Sequence, residues 1–239
     1  MTKNFKKPDA NWFEAMPNDR LLVEMSLWSA NLGNLGADVR RVESGTDIYH
    51  LDVADGAFSP ALLFFPDLVA AVRTQTTKPF HVHLMVSDAI LDEQVEQFAD
   101  VGADLISVHG ENANAASALS RIKKRGLKTG VVLQVDTPVA AVAPLLSHVD
   151  MLTLLGTRIG VKGQGLDEKA CDRLHEARAL VAQKVENRRV IVAADGGIRE
   201  HTVPLLRNAG AETIVMGSLA FGAADFASRI AWVHDLQRN

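Results

Sequence analysis

Short segments in which apolar and polar positions alternate with period two are separated by stretches whose apolar positions recur at helical spacing. The pattern predicts strands over residues 21–27, 46–53, 80–86, 105–109, 128–135, 151–155, 190–194 and 213–216. Between and after them it predicts helices over 31–43, 67–74, 92–100, 115–125, 138–147, 168–185, 203–208 and 225–236. Gly45, Gly102, Gly126 and Gly210 stand just past four of these helices, and Pro66 stands just before one, where each residue type is favoured. Residues 1–19 carry Trp12 and Phe13 among polar residues. They read as an arm with a short helix, packing over the bottom of the fold or on a partner subunit, and a homo-oligomer is expected.

Strict alternation of strand and helix, with no hairpin signal, implies parallel strands joined by right-handed crossovers. Eight such units in roughly 220 residues fit an α/β fold of the (β/α)₈ TIM-barrel type. A doubly wound open sheet is the alternative, but its usual glycine-rich turn after the first strand is not Ser26-Leu27-Trp28-Ser29. No linker divides the chain, so an arm over 1–20 and one barrel domain over 21–239 are expected.

Composition narrows the function. Of 239 residues, 47% are hydrophobic, enough for a large core, and the net charge of -4 favours neither nucleic acid nor an anionic membrane. No apolar run approaches the roughly 20 residues of a membrane span. The basic start of the chain lacks the apolar stretch of a secretory signal. Cys171 is the single cysteine, so no intrachain disulfide can form and a cytoplasmic location is expected. A structural thiol is the better reading of it than a nucleophile.

In a (β/α)₈ barrel the chemistry lies at the C-terminal ends of the strands. Ser26, His50, Asp52, His83, His109 and Asp195 fall there. His50 and Asp52 are two apart on one strand and so share a face. Two imidazoles and two carboxylates, from His50, Asp52, His83 and Asp195, suit one divalent ion such as Zn²⁺, Mn²⁺, Fe²⁺ or Co²⁺. Alone, each is as well explained by a hydrogen bond at the barrel mouth, whereas four together are not. His81 lies two before His83 and deeper, which makes it a core residue or a support for the ligands. Gly163, Gly196-Gly197 and Gly217-Ser218 follow strands six, seven and eight. Glycines there let backbone N–H groups approach an anion, and the last two of these loops are the frequent phosphate site of the fold.

The segments His50-Leu51-Asp52-Val53-Ala54-Asp55-Gly56, His83-Leu84-Met85-Val86, Asp195-Gly196-Gly197 and Gly217-Ser218-Leu219-Ala220-Phe221 resemble the ribulose-phosphate 3-epimerase family. Ser26-Leu27-Trp28-Ser29-Ala30-Asn31 resembles its Ser-Ile-Leu-Ser-Ala-Asp segment, and the likeness runs in order over about 21–230. The resemblance implies a metal on His50, Asp52, His83 and Asp195, with Asp52 and Asp195 as the acid/base pair on opposite faces of a ketose phosphate. Removing the C3 proton, α to the C2 carbonyl, and returning one to the other face passes through an enediolate, whose charge a metal stabilises. It further implies a small-molecule sugar-phosphate partner held by Ser26, His83, Gly160, Gly163, Gly196, Gly197, Gly217 and Ser218.

The chain departs from the family at the walls. Ala54 and Leu155 stand where the family has Met, Pro60-Ala61-Leu62-Leu63 replaces Pro-Asn-Leu-Thr, and Arg158-Ile159-Gly160-Val161-Lys162-Gly163-Gln164 replaces Asn-Pro-Gly-Phe-Gly-Gly-Gln. Intact metal and acid/base residues with altered walls fit an altered sugar better than a dead enzyme. A metal-free lyase or synthase is the competing reading, and it needs a lysine at a strand end, whereas Lys78 and Lys128 fall at strand starts. A non-catalytic sugar-phosphate sensor is the other, and the presence of both Asp52 and Asp195 argues against it.

Overall fold

In the computed structural model, which describes residues 5–237, eight parallel strands close on themselves in sequence order, β1 pairing with both β2 and β8. The strands are β1 (Leu22–Ser26), β2 (Ile48–Ala54), β3 (Phe80–Met85), β4 (Leu105–His109), β5 (Lys128–Leu133), β6 (Met151–Leu155), β7 (Ile191–Asp195) and β8 (Thr213–Met216). The helices around them are α1 (Leu35–Val42), α2 (Pro66–Arg73), α3 (Asp88–Asp100), α4 (Ala115–Lys124), α5 (Ala170–Lys184), α6 (Val203–Asn208), α7 (Ser218–Phe221) and α8 (Phe226–His234). This is the (β/α)₈ barrel that the periodicity predicts.

Two differences have local causes. The segment 138–147 forms only 3₁₀ turns, Val139–Val142 and Leu146–His148. Pro144 removes an N–H from the middle of that segment and clashes with the preceding turn, so the α-helical ladder cannot run through it. The one-turn α7 directly after β8 was not expected, because Gly217 interrupts the apolar pattern just before it. In the arm the expected short helix is a hydrogen-bonded turn over 10–15, with a single i→i+4 bond from Ala15 N–H to the Asn11 carbonyl.

Most of the buried apolar side chains lie between the strands and the helical ring. A second, smaller cluster fills the barrel's lower interior, where Leu22, Ile48, Leu105, Met151 and Ile191 meet Phe13 from the arm. The arm thus covers the end of the barrel opposite the strand C-termini. Register then decides which side chains meet at the other end. Ser26 pairs with His50, Asp52 with His83, and Leu155 with Asp195. No described helix is long and apolar enough to cross a membrane.

Candidate metal centre and active site

Period two along β2 turns both His50 and Asp52 into the barrel. The β2–β3 register sets His83 beside Asp52, and β7 ends on Asp195 at the same level. His50, Asp52, His83 and Asp195 each offer an atom within 4.8 Å of the others. His50 Nε2 lies 3.3 Å from Asp52 Oδ1; His83 Nδ1 lies 3.5 Å from that oxygen and 3.9 Å from Asp195 Oδ2. His50, Asp52 and His83 are buried, and Asp195 is half-buried. The Ser26 hydroxyl donates to Asp52 Oδ2 at 2.9 Å.

The donor set fits a divalent cation. His50 Nε2 and His83 Nδ1 are buried and have no hydrogen-bond partner, although buried polar atoms are nearly always satisfied. Both point into the quartet, where a cation would satisfy them. Burial pushes the Asp195 carboxyl up to about 6; His50 pulls it back and the nearby Asp52 carboxylate adds to the rise. Burial also opposes ionisation of Asp52, but His50 and His83 outweigh it and hold that carboxyl well below the usual range. A positive ion between the two carboxylates relieves their repulsion.

Both imidazoles are braced from behind. His50 donates from Nδ1 to Glu24 Oε2 at 2.9 Å, which leaves Nε2 as the lone-pair nitrogen. The same oxygen accepts from His81 Nδ1 at 2.6 Å, and His81 Nε2 meets the Ser107 hydroxyl at 2.6 Å. Glu24, His50 and His81 therefore form a fully buried hydrogen-bonded group one layer down. His81 is thus a support, as expected. On the other side, His83 Nε2 meets His109 Nε2 at 2.9 Å, and His109 Nδ1 meets Glu111 Oε2 at 3.1 Å. Gln134 N–H donates to Glu111 Oε1 at 2.9 Å, and the Thr137 hydroxyl donates to the same oxygen.

A cavity of about 430 Å³ opens beside the quartet. Ser26, Asp52, His83 and Asp195 line it, as do Gly160, Gly163, Gly196, Gly197, Gly217 and Ser218, every one of the sequence-derived substrate residues. Gly197 has φ +70°, and a Cβ there would lie 2.7 Å from the Leu166 Cα, so only glycine fits. At Gly217 an added Cβ would come 2.4 Å from the Ser29 hydroxyl oxygen. Met85, Leu155 and Val215 supply the apolar wall, while Ala54 is buried and outside the lining. Lys128, at the first position of β5, sits at the opposite end of the barrel, where it pairs with Glu14 of the arm.

Sequence reasoning missed Glu24, Glu111 and Trp28. Period two was the available signal for Glu24, which lies two before Ser26 just as His81 lies two before His83. Nothing local marks Glu111, in the turn after β4, whereas Trp28, in the 3₁₀ turn Leu27–Ser29 after β1, carried one signal, that the family segment has Leu there.

Two imidazoles with unpartnered nitrogens and two carboxylates, converging at the C-terminal mouth of a (β/α)₈ barrel, define a metal-dependent barrel enzyme. The model of the ribulose-phosphate 3 epimerase family matches residues 22–221, and the chain belongs to that family. It is 35% identical over 222 residues to the chloroplastic ribulose-5-phosphate-3-epimerase of Arabidopsis thaliana, covering 91% of this chain and 78% of that one. It is 34% identical over 205 residues to the ribulose-phosphate 3-epimerase of Bacillus subtilis, covering 85% and 93%. Among solved structures, a 3-hexulose-6-phosphate synthase superposes with TM-score 0.64 at 19% identity over 90% of this chain and 97% of that one, a likeness of fold alone. Family and site together make the chain a metal-dependent epimerase, an isomerase.

Proposed function

We propose that the enzyme interconverts the C3 epimers of a ketose phosphate, ribulose 5-phosphate and xylulose 5-phosphate or a close relative, with Asp52 and Asp195 as its two acid/base groups. One observation carries this: two carboxylates, from β2 and β7, line a cavity together with His83, and the unpartnered nitrogens of His83 and of the buried His50 converge on those carboxylates. His50, Asp52, His83 and Asp195 would hold a single Zn²⁺, Mn²⁺, Fe²⁺ or Co²⁺. When bound, that ion would supply Lewis-acid stabilisation of the negative charge that develops on the substrate.

The chain's own groups do the rest. One Asp removes the proton at C3, and the other returns a proton to the opposite face of the planar enediolate, so the configuration inverts without a redox cofactor. The Ser26 hydroxyl, donating to Asp52, orients that carboxylate at 2.9 Å and stands in the lining where it can reach a substrate hydroxyl. Met85, Leu155 and Val215 keep the reacting carbon among apolar groups and away from water. Backbone N–H groups at Gly196, Gly197, Gly217 and Ser218, with Gly160 and Gly163 of the facing loop, cradle the phosphate.

The competing lyase or synthase reading lacks support at the strand ends, because Lys128 lies at the far end and Lys78 precedes β3. A homo-oligomer and a cytoplasmic location belong to the same proposal. Leu62 and Phe65, both strongly exposed, offer apolar surface for a second copy, and light scattering reads the subunit count. Solvent-deuterium exchange into a panel of ketose phosphates, followed by NMR, tests the activity. Loss of the C3 proton signal with formation of the epimer is expected. A panel in which no ketose phosphate exchanges at C3 overturns the proposal.

A further inference from the structure

Residues 158–164 leave β6 and arch over the cavity. Gln164 holds the arch in shape, donating from Nε2 to the carbonyls of Arg158 at 2.9 Å and Val161 at 2.8 Å. At one side Gly160 packs against the loop after β2, so closely that a Cβ there would lie 2.1 Å from the Ser59 hydroxyl oxygen. At the other, Lys162 Nζ donates to the Trp28 carbonyl at 2.6 Å and stands 4.7 Å from the Trp28 ring centroid, within cation–π range. Lys162 and Trp28 are 134 positions apart, and both line the cavity. Each stands where the family segments quoted above have another residue, Gly and Leu respectively, so two departures from the family touch each other.

The clasp lies between the glycine end of the cavity and the quartet: Ser29, the residue after Trp28, abuts Gly217, while Lys162 is near enough to interact with the Asp52 carboxylate. Besides His83, the charged residues lining the cavity are Asp52, Asp195, Arg158, Lys162 and Arg199. A phosphate entering this space meets two carboxylates, and backbone amides carry only partial charge against them. Of the three cations, Arg199 donates to its neighbour's carbonyl, Ile198 O, at 2.9 Å, while Arg158 and Lys162 are both exposed and differ in that Lys162 donates across the mouth to the Trp28 carbonyl. Lys162 alone among them is anchored across the mouth. An ammonium has three donors, and the carbonyl of Trp28 uses one.

We propose that Lys162, clasped to Trp28, is a specificity-determining residue that pairs its ammonium with the substrate's phosphate as the arch covers it. This rests on the ketose-phosphate reading above and adds a full positive charge to the backbone cradle. It selects for the phosphorylated over the free sugar, and the Trp28 ring and carbonyl hold the flexible lysine stem in the reach of the phosphate.

The test uses the metal-loaded full chain. Lys162→Met is expected to raise KM for the phosphorylated ketose about 10- to 100-fold, the range for a lost hydrogen bond to a charged group, with the loss in KM rather than in kcat. It is expected to weaken binding of inorganic phosphate, measured by calorimetry, by a similar factor. Lys162→Arg restores most of both. Trp28→Leu keeps the carbonyl and removes the ring, and costs about two- to five-fold. KM rises with ionic strength more steeply in the wild type than in Lys162→Met, a difference that a purely structural role of the arch does not produce. Gly217→Asp separates the two readings. If Gly217→Asp abolishes phosphate binding while Lys162→Met leaves KM, phosphate affinity and salt slope unchanged, the inference about Lys162 is wrong and the cradle stands. If Lys162→Met weakens phosphate binding and Gly217→Asp does not, the pairing stands and the assignment of the phosphate to the Gly217 end falls.

Discussion

The imidazoles of His83 and His109 meet Nε2 to Nε2 at 2.9 Å, so one of the two nitrogens must carry the proton and the other must accept it. Glu111 decides which. Its carboxylate faces His109 Nδ1, which makes Nδ1 the donor and Nε2 the acceptor of His109. His83 then donates from Nε2 and presents the Nδ1 lone pair to the quartet. Glu111→Gln, which can turn an amide N–H toward His109, breaks this order. It is expected to weaken metal affinity roughly 10- to 100-fold, the usual effect of losing such a support. Competition with a chromogenic chelator measures it, and Glu24→Gln is expected to do the same through His50. Unchanged affinity in both variants would mean that the ligands do not depend on their supports.

Metal content follows the ligands. One divalent ion per chain is expected by elemental analysis, and His83→Ala is expected to lower occupancy and activity together. Full activity in stripped protein with chelator still present counts against a metal-dependent site.

The two carboxylates are expected to be distinguishable. Asn keeps the shape of Asp and can still offer an oxygen to a cation, but it cannot accept a proton. Asp195→Asn is expected to retain much of the metal and to lose epimerisation beyond the roughly 10²–10⁴-fold typical of one acid/base group. It should still exchange the C3 proton of one epimer with deuterated solvent, and Asp52→Asn that of the other. NMR of both variants against both epimers decides. Equal exchange of both epimers by each variant would show a single base serving both faces.

At the glycine end, Gly217→Asp brings a carboxylate toward the phosphate and a Cβ against Ser29. KM for the phosphorylated substrate is expected to rise at least about tenfold. An unchanged KM places the phosphate elsewhere.

The barrel's lower rim gives a pH-dependent prediction. Burial alone would raise the Asp47 carboxyl, but hydrogen bonds from Arg20 and Val23 N–H, with His234 Nε2 3.8 Å away, outweigh it and hold it below its ordinary 3.8. Arg20 Nη2 lies 2.7 Å from Asp47 Oδ1. A carboxylate whose pKa is lower in the folded than in the unfolded chain stabilises the fold above the unfolded value, and that contribution fades as pH falls below about 4. Asp47→Asn is expected to cost about 1–3 kcal/mol at pH 7. The gap to wild type, read by urea unfolding, should narrow at pH 3. A constant gap would assign the effect to packing alone.

Much of this was legible because short-range patterns carry it. The two-residue spacing of His50 and Asp52 guarantees a shared face in any strand, and the period-two strands ran true for β4, β6 and β8 at both ends. The helix expected over 138–147 failed because apolar spacing suggested it while Pro144 forbade its ladder. Ligand-like residues were legible by type, but their braces were not, since Glu111 reaches His109 from a loop and Glu24 reaches His81 from a strand two places around the barrel.

The sequence by itself determined the eight parallel strands, the inward face of each and the chemical character of the mouth, because alternation and residue type act locally. Only the tertiary structure decided which nitrogen of each histidine is free, that Glu24 serves two imidazoles at once, and that Lys162 reaches Trp28 across the cavity. Those facts depend on barrel closure and inter-strand register. Closure sets β1 beside β8, and register slides Asp52 level with His83, so that residues far apart in the chain come within hydrogen-bonding distance.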